Sequence, residues 1–275
     1  MGTSGAYCGA GGKAGRDIGA GAGEWLGGLS GGGDSDSDAA NDPGADGKPP
    51  VDLPPRLVSG VLSLLRPGSP SGGGGVGLGG AGGGRAGRIG GSTGGTGGGG
   101  LRRSTSRMAG SAGRAAAAAY AYATEDRASL SALGLDFDDL RALRDPIEVT
   151  RRIVETACGP RSSSTLEEHE ERYVAARVAE WVLEGTQDGA TATPEEITRY
   201  AIATIIAEVI ASEIGEALKQ WPEKVEVIAD SELRDAAEVL ASKAELSVTG
   251  ASEAELAKAI EDGINTLREI YGVGD

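Results

Sequence analysis

Aromatic residues, histidine and cysteine are scarce in this chain of 275 residues, which has one Phe, three Trp, six Tyr, one His and two Cys. Each shortage removes a class of function. Cys8 and Cys158 are far apart and have no His or Cys at ligand spacing. They make no disulfide framework and no metal site, which fits a reducing cytosol. The single histidine, His169, stands among Glu167, Glu168, Glu170 and Glu171 with no second His on the next turn. An exposed side chain is therefore expected, because a lone imidazole offers neither a metal pair nor an oriented base. Long apolar runs are missing as well. No stretch approaches the roughly 18 residues needed to span a bilayer. The N-terminus also lacks a basic region leading into an apolar one, so neither membrane insertion nor export is expected.

Acidic residues are absent from Leu53 to Thr124, a segment with eight arginines, whereas residues 125 to 275 hold 33 acidic and 15 basic side chains. The net charge of −15 thus belongs to the C-terminal half. Glycine is distributed in the opposite way, with 37 of 48 in the first 100 residues. So much glycine leaves few side chains for a core and a high backbone entropy to lose on ordering. Residues 1–100 are accordingly predicted as a mostly disordered arm. One exception is a short apolar segment at 56–66, introduced by Pro54-Pro55 and closed by Pro67-Gly68. Its Leu57, Val58, Val61, Leu62 and Leu65 are the arm's candidates for docking on a partner. Residues 71–100 are predicted to be linker, and the match of Gly77 to Gly82 to a dinucleotide-binding turn follows from composition alone.

From 101 onward the pattern is helical, and an all-α bundle is expected over 101–275. A basic, Ala-rich helix is predicted over 101–127, driven by Ala115 to Ala119, and an acidic bundle over 136–275. Asp136 and Asp145-Pro146 read as helix starts, and Gly159-Pro160 as a stop. Thr165 with Glu168, Thr193 with Glu196 and Ser252 with Glu255 have capping-box spacing. The helix opened at Pro194 carries Ile197, Ala201, Ile205 and Val209, with Ile202, Ile206, Ile210 and Ile214 on neighbouring turns. So wide an apolar surface predicts a central core helix or a partner groove. Nothing in this half alternates with period two, so no substantial sheet is expected.

The residues show no catalytic constellation, metal site or cofactor motif. A basic patch of Arg85, Arg88, Arg102, Arg103, Arg107 and Arg114 could neutralise phosphates. No aromatic residue lies between Leu53 and Ala119 to stack on bases, so a nucleic-acid-binding adaptor using 85–114 is the alternative function and not the first one. The N-terminus is the other candidate. Removal of Met1 would leave a Gly2 α-amine, with a pKa near 8, that fits a narrow pocket. Ala6 stands where a myristoylation signal has Ser or Thr.

The opening Met1-Gly2-Thr3-Ser4 with its Gly-rich arm, the stretch Leu101-Arg102-Arg103-Ser104, and the segment Leu133-Gly134-Leu135-Asp136 carry a family likeness. With the passage from Cys158-Gly159-Pro160 to Thr165-Leu166-Glu167-Glu168, they resemble the QatB family of the four-gene Qat anti-phage defence operons of bacteria. The resemblance implies a non-enzymatic cytoplasmic component of a defence complex. The implied partners are a QueC-like protein, most directly, together with an ATPase and a TatD-like nuclease. Because QueC enzymes couple an adenylated carboxylate to an amine, it also implies modification at Met1 to Ser4, with Gly2 as acceptor.

Overall fold

The computed structural model describes residues 12–30, 52–66, 103–159, 165–187, 191–218, 224–247 and 250–274. These residues are mostly helical. Helix α1 spans Gly12–Ser30 and α2 spans Pro55–Leu64, followed by a two-residue strand β1, Leu65–Arg66. Strand β2, Arg103–Ser104, leads into α3, Thr105–Ala123. Then come the short helices α4 (Arg127–Ala132) and α5 (Phe137–Ala142), followed by α6 (Pro146–Cys158) and α7 (Leu166–Gln187). The chain continues through α8 (Pro194–Leu218), α9 (Lys224–Ser242) and α10 (Glu253–Ile270). The strands pair in parallel, Leu65 with Arg103 and Arg66 with Ser104.

Local chemistry fixes most of these boundaries. Ser104 accepts the Arg107 amide at the start of α3, and Asp136 and Asp145 accept Asp139 and Ile147 amides at the starts of α5 and α6. Thr165 accepts the Glu168 amide. Thr193 with Glu196 and Ser252 with Glu255 form reciprocal caps. Each cap satisfies amides that a helix start leaves without a partner.

Helix α3 lies at the centre, packed against α10 and α7 with α6 at its side. Its alanines let neighbours come close. A Cβ on Gly113 would stand 2.6 Å from the Ala257 amide nitrogen. On α8, Ile197, Ile202, Ile205, Ile206, Val209 and Ile210 are all fully buried. The wide apolar face is therefore core, which decides between the two expectations for that helix.

The expectation of a mostly disordered arm fails over residues 12–30, whereas the apolar segment set apart at 56–66 falls within an ordered stretch. Residues 12–30 form α1, and 52–66 form α2 and β1, and both helices bury one face in the same core as the C-terminal half. In α1, Ile18, Gly21, Ala22, Trp25 and Leu26 are buried at helical spacing, while Gly19, Gly23, Gly27 and Gly28 are exposed. The seven glycines of α1 cost about 1 kcal/mol each relative to alanine. Burial of Ile18, Trp25 and Leu26 offsets that cost at about 1.5–3 kcal/mol per large apolar side chain. Two glycines also serve the contact. A Cβ on Gly21 would meet the Leu57 backbone nitrogen at 2.7 Å, and one on Gly60 would meet Ile18 Cγ1 at 2.7 Å. Helices α1 and α2 cross at these two points because no side chain stands between them.

Candidate functional site

The residues singled out for docking and for charge converge where the α1–α2 pair meets the rest of the protein. Leu57, Val58, Val61, Leu62 and Leu65 are all buried at 0–1 % exposure. In this conformation they are occupied by the chain itself, so the docking surface expected for an outside partner is not open. The reason is spacing: Leu57, Val58, Val61 and Leu62 recur as i, i+1, i+4 and i+5 and form one broad apolar face, which the chain's own core covers.

Of the arginines of the basic patch, Arg103 is not on the surface, with its side chain 1 % exposed. Its Nε donates to Glu170 Oε2 at 2.6 Å and its Nη2 to Glu170 Oε1 at 2.7 Å, a bidentate pair. Nη1 donates to Glu213 Oε1 at 2.8 Å, and Nη2 also reaches Ser212 Oγ at 3.1 Å. Burial works against the guanidinium's charge, but the hydrogen bonds and the two carboxylates outweigh it and hold its pKa above the ordinary range. Arg107 is paired with Glu171 at 3.1 Å and Arg114 with Glu253 at 3.8 Å. Burial pushes the Glu171 carboxyl up despite Arg107. Three of the six arginines thus answer the protein's own carboxylates, as expected when a basic segment folds against an acidic body. Arg85, Arg88 and Arg102 lie outside the described residues.

Arg268 of α10 makes a second latch. It is buried, and its Nη1 donates to Leu62 O at 2.9 Å and also to Leu65 O. These carbonyls close α2, where a helix leaves acceptors without partners and favours a cation. Arg103 holds β2 against α7 and α8 from inside, while β2 pairs with β1 and Arg268 caps α2. The end of the arm is therefore clasped from two sides by buried guanidiniums.

Sequence reading missed Glu170, Glu213 and Arg268, although each stands on an apolar stripe. Glu170 precedes Val174 by one turn, Glu213 follows Val209 by one turn, and Arg268 follows Ile264 by one turn. A charge at such a position signals a buried pair. Met1, Gly2, Thr3 and Ser4 lie outside the described residues. His169 is exposed, and Cys158 is half-buried, with burial raising its thiol pKa. Among the described residues no group of His, Cys, Asp and Glu could hold a metal ion, and no helix is long and apolar enough to cross a membrane. Comparisons with protein-family models, curated proteins and solved structures find no match.

Proposed function

We propose that this chain is a non-enzymatic, cytoplasmic scaffold of a bacterial anti-phage defence complex, of the kind its likeness to the QatB family implies. In this reading the helical bundle is the body, and the N-terminal arm is its presented part. The observation that carries the reading is the clasp at Arg103 and Arg268. It ties α2 to the body, and α1 packs on α2, so Gly12 leaves from a defined place. Ten Cα-to-Cα steps lead from Gly12 to Gly2, a reach of at most about 35 Å. A partner seated on the body could take up Gly2 within that radius.

The partner would be the QueC-like enzyme, with the ATPase and the TatD-like nuclease completing the assembly. After removal of Met1, the neutral Gly2 amine would attack an adenylated carboxylate held by that enzyme. An amide bond forms, the carboxyl–phosphate bond breaks, AMP leaves, and the amine gives up a proton. Intact-mass measurement of the chain produced with and without the QueC-like protein tests this. Covalent mass gained at the N-terminal peptide only in the partner's presence is expected. An unchanged peptide in both samples removes the substrate role.

A further inference from the structure

A groove of about 390 Å³ opens at the opposite end of α3, lined by Tyr122, Phe137, Val149 and Leu183 with the charged side chains Glu125, Arg141, Arg144 and Asp145, the last of which caps α6 through the Ile147 amide. Three independent features meet there. The first is backbone conformation. Five described residues have positive φ, and three are glycines: Gly134, Gly159 and Gly272. The other two are Glu125 at φ 57° and Arg144 at φ 56°, and both line this groove. Each directly follows the capping residue of a helix, a place glycine fills at no steric cost. A side chain there costs about 1–2 kcal/mol. In a chain with 48 glycines, a carboxylate and a guanidinium stand at these two positions.

The second feature is charge. Arg127, Arg151, Arg152, Arg177 and Arg199 are each matched to a carboxylate. Arg141 and Arg144, on an acidic body, make no hydrogen bond or salt bridge among the described residues, although Arg141 lies 6.0 Å over the Phe137 ring and its charge adds to the Arg127 hydrogen bond in lowering the Asp138 carboxyl pKa. The third is apolar surface. Phe137 is the groove's aromatic floor, with Tyr122 at 5.4 Å and the Arg127 guanidinium 4.5 Å over its ring. Leu143 and Ile147, next in the chain to Arg144 and Pro146, are 40 % and 74 % exposed, two of four large apolar side chains left open in the described residues.

The geometry points to a docking groove for a segment of a protein partner that carries a leucine-like anchor followed by acidic side chains. The anchor seats on Phe137, Val149 and Leu183, and Ile147 widens the apolar contact. The acidic side chains answer Arg141 and Arg144, and Glu125 accepts from the segment's amides or a basic residue at its other end. The face does not depend on the clasp or on Gly2, so it stands whether or not the N-terminus is modified.

The test is amide NMR of the full-length chain titrated with a capped peptide of lysine, two leucines and two glutamates. A control peptide has lysines in place of the glutamates. Shifts confined to Tyr122, Arg144, Val149 and their neighbours are expected with the acidic peptide, with at least about tenfold weaker binding of the control. The Arg141→Glu/Arg144→Glu double variant should lose the acidic peptide by a similar factor. Arg144→Gly should raise the melting temperature, because φ is relaxed, and still weaken the peptide. Equal binding of both peptides, no shifts at the groove, or an Arg144→Gly variant that binds undiminished overturns the proposal. So does a groove that responds to AMP and not to the peptide.

Discussion

Helices α1 and α3 are both 19 residues long and both rely on small residues to bring a neighbour close, but they use opposite small residues. In α3 nine alanines make up most of the small residues, with the tightest approach at Gly113, and alanine is the strongest helix former, so the helix owes little to its surroundings. In α1 seven glycines fill that role, and a glycine-laden helix this short is unstable alone. Helix α1 is therefore a helix because it is docked, whereas α3 can be docked because it is a helix. Trp25 adds to the cost of ordering α1. It is 1 % exposed, and its indole N–H has no hydrogen-bond partner among the described residues. Such an orphan donor costs about 1–3 kcal/mol. Thr105 Oγ1 and Arg114 Nε of α3 are orphaned in the same way, so it is the glycine content of α1 that divides the chain into a firm body and a conditional element.

The sharpest way to break the contrast is at the clasp. Arg103→Ala leaves Glu170 and Glu213 buried without their cation, and should lower global stability by about 3–5 kcal/mol in denaturant unfolding. It removes a latch from both regions at once. Gly21→Ala and Gly60→Ala act on the conditional element alone. With backbone or branched side-chain atoms at 2.7 Å from the new Cβ, each should cost about 1–3 kcal/mol of α1–α2 docking. Limited proteolysis within α1 would report that loss while α3 stays protected.

The same helix predicts the opposite sign on its exposed face. Gly19, Gly23 and Gly27 have nothing within 4 Å of a new Cβ. Alanine at each should stabilise docked α1 by about 0.5–1 kcal/mol, read from the midpoint of α1 unfolding. The smallest effect concerns Glu171. Its raised pKa favours the folded state fully below the ordinary carboxylate range, and that contribution is lost as pH rises through the folded value. Glu171→Gln should match the wild type in acid and become the more stable of the two toward neutrality, as measured by melting temperature across pH.

Much of the firm body was legible because its signals are local. Asp136, Asp145, Thr165, Thr193 and Ser252 each announced a helix start that the structure contains. The isoleucines of α8 gave the width of a core helix. The short β1–β2 pair was not legible, since two residues carry no period. Helix α1 was missed for a different reason. Ile18, Ala22, Trp25 and Leu26 do have helical spacing, but glycine propensity argues against a helix unless the docking partner is known. That partner is α2, 25 residues beyond the end of α1, and only the fold brings it there. The candidate site failed in the same way. Arg103 reads as a surface cation until Glu170 and Glu213 are recognised as charges on apolar stripes. The sequence offers the three residues but not their meeting.

Hydrogen exchange at the α1 amides, from Ala14 to Leu26, tests the central claim most directly. Wild-type α1 should exchange slowly, Gly21→Ala should remove that protection, and Gly23→Ala should keep or increase it, with α3 unchanged throughout. Exchange of α1 at the rate of an unstructured chain in the wild type, or the same response to both substitutions, would contradict a helix that exists by docking.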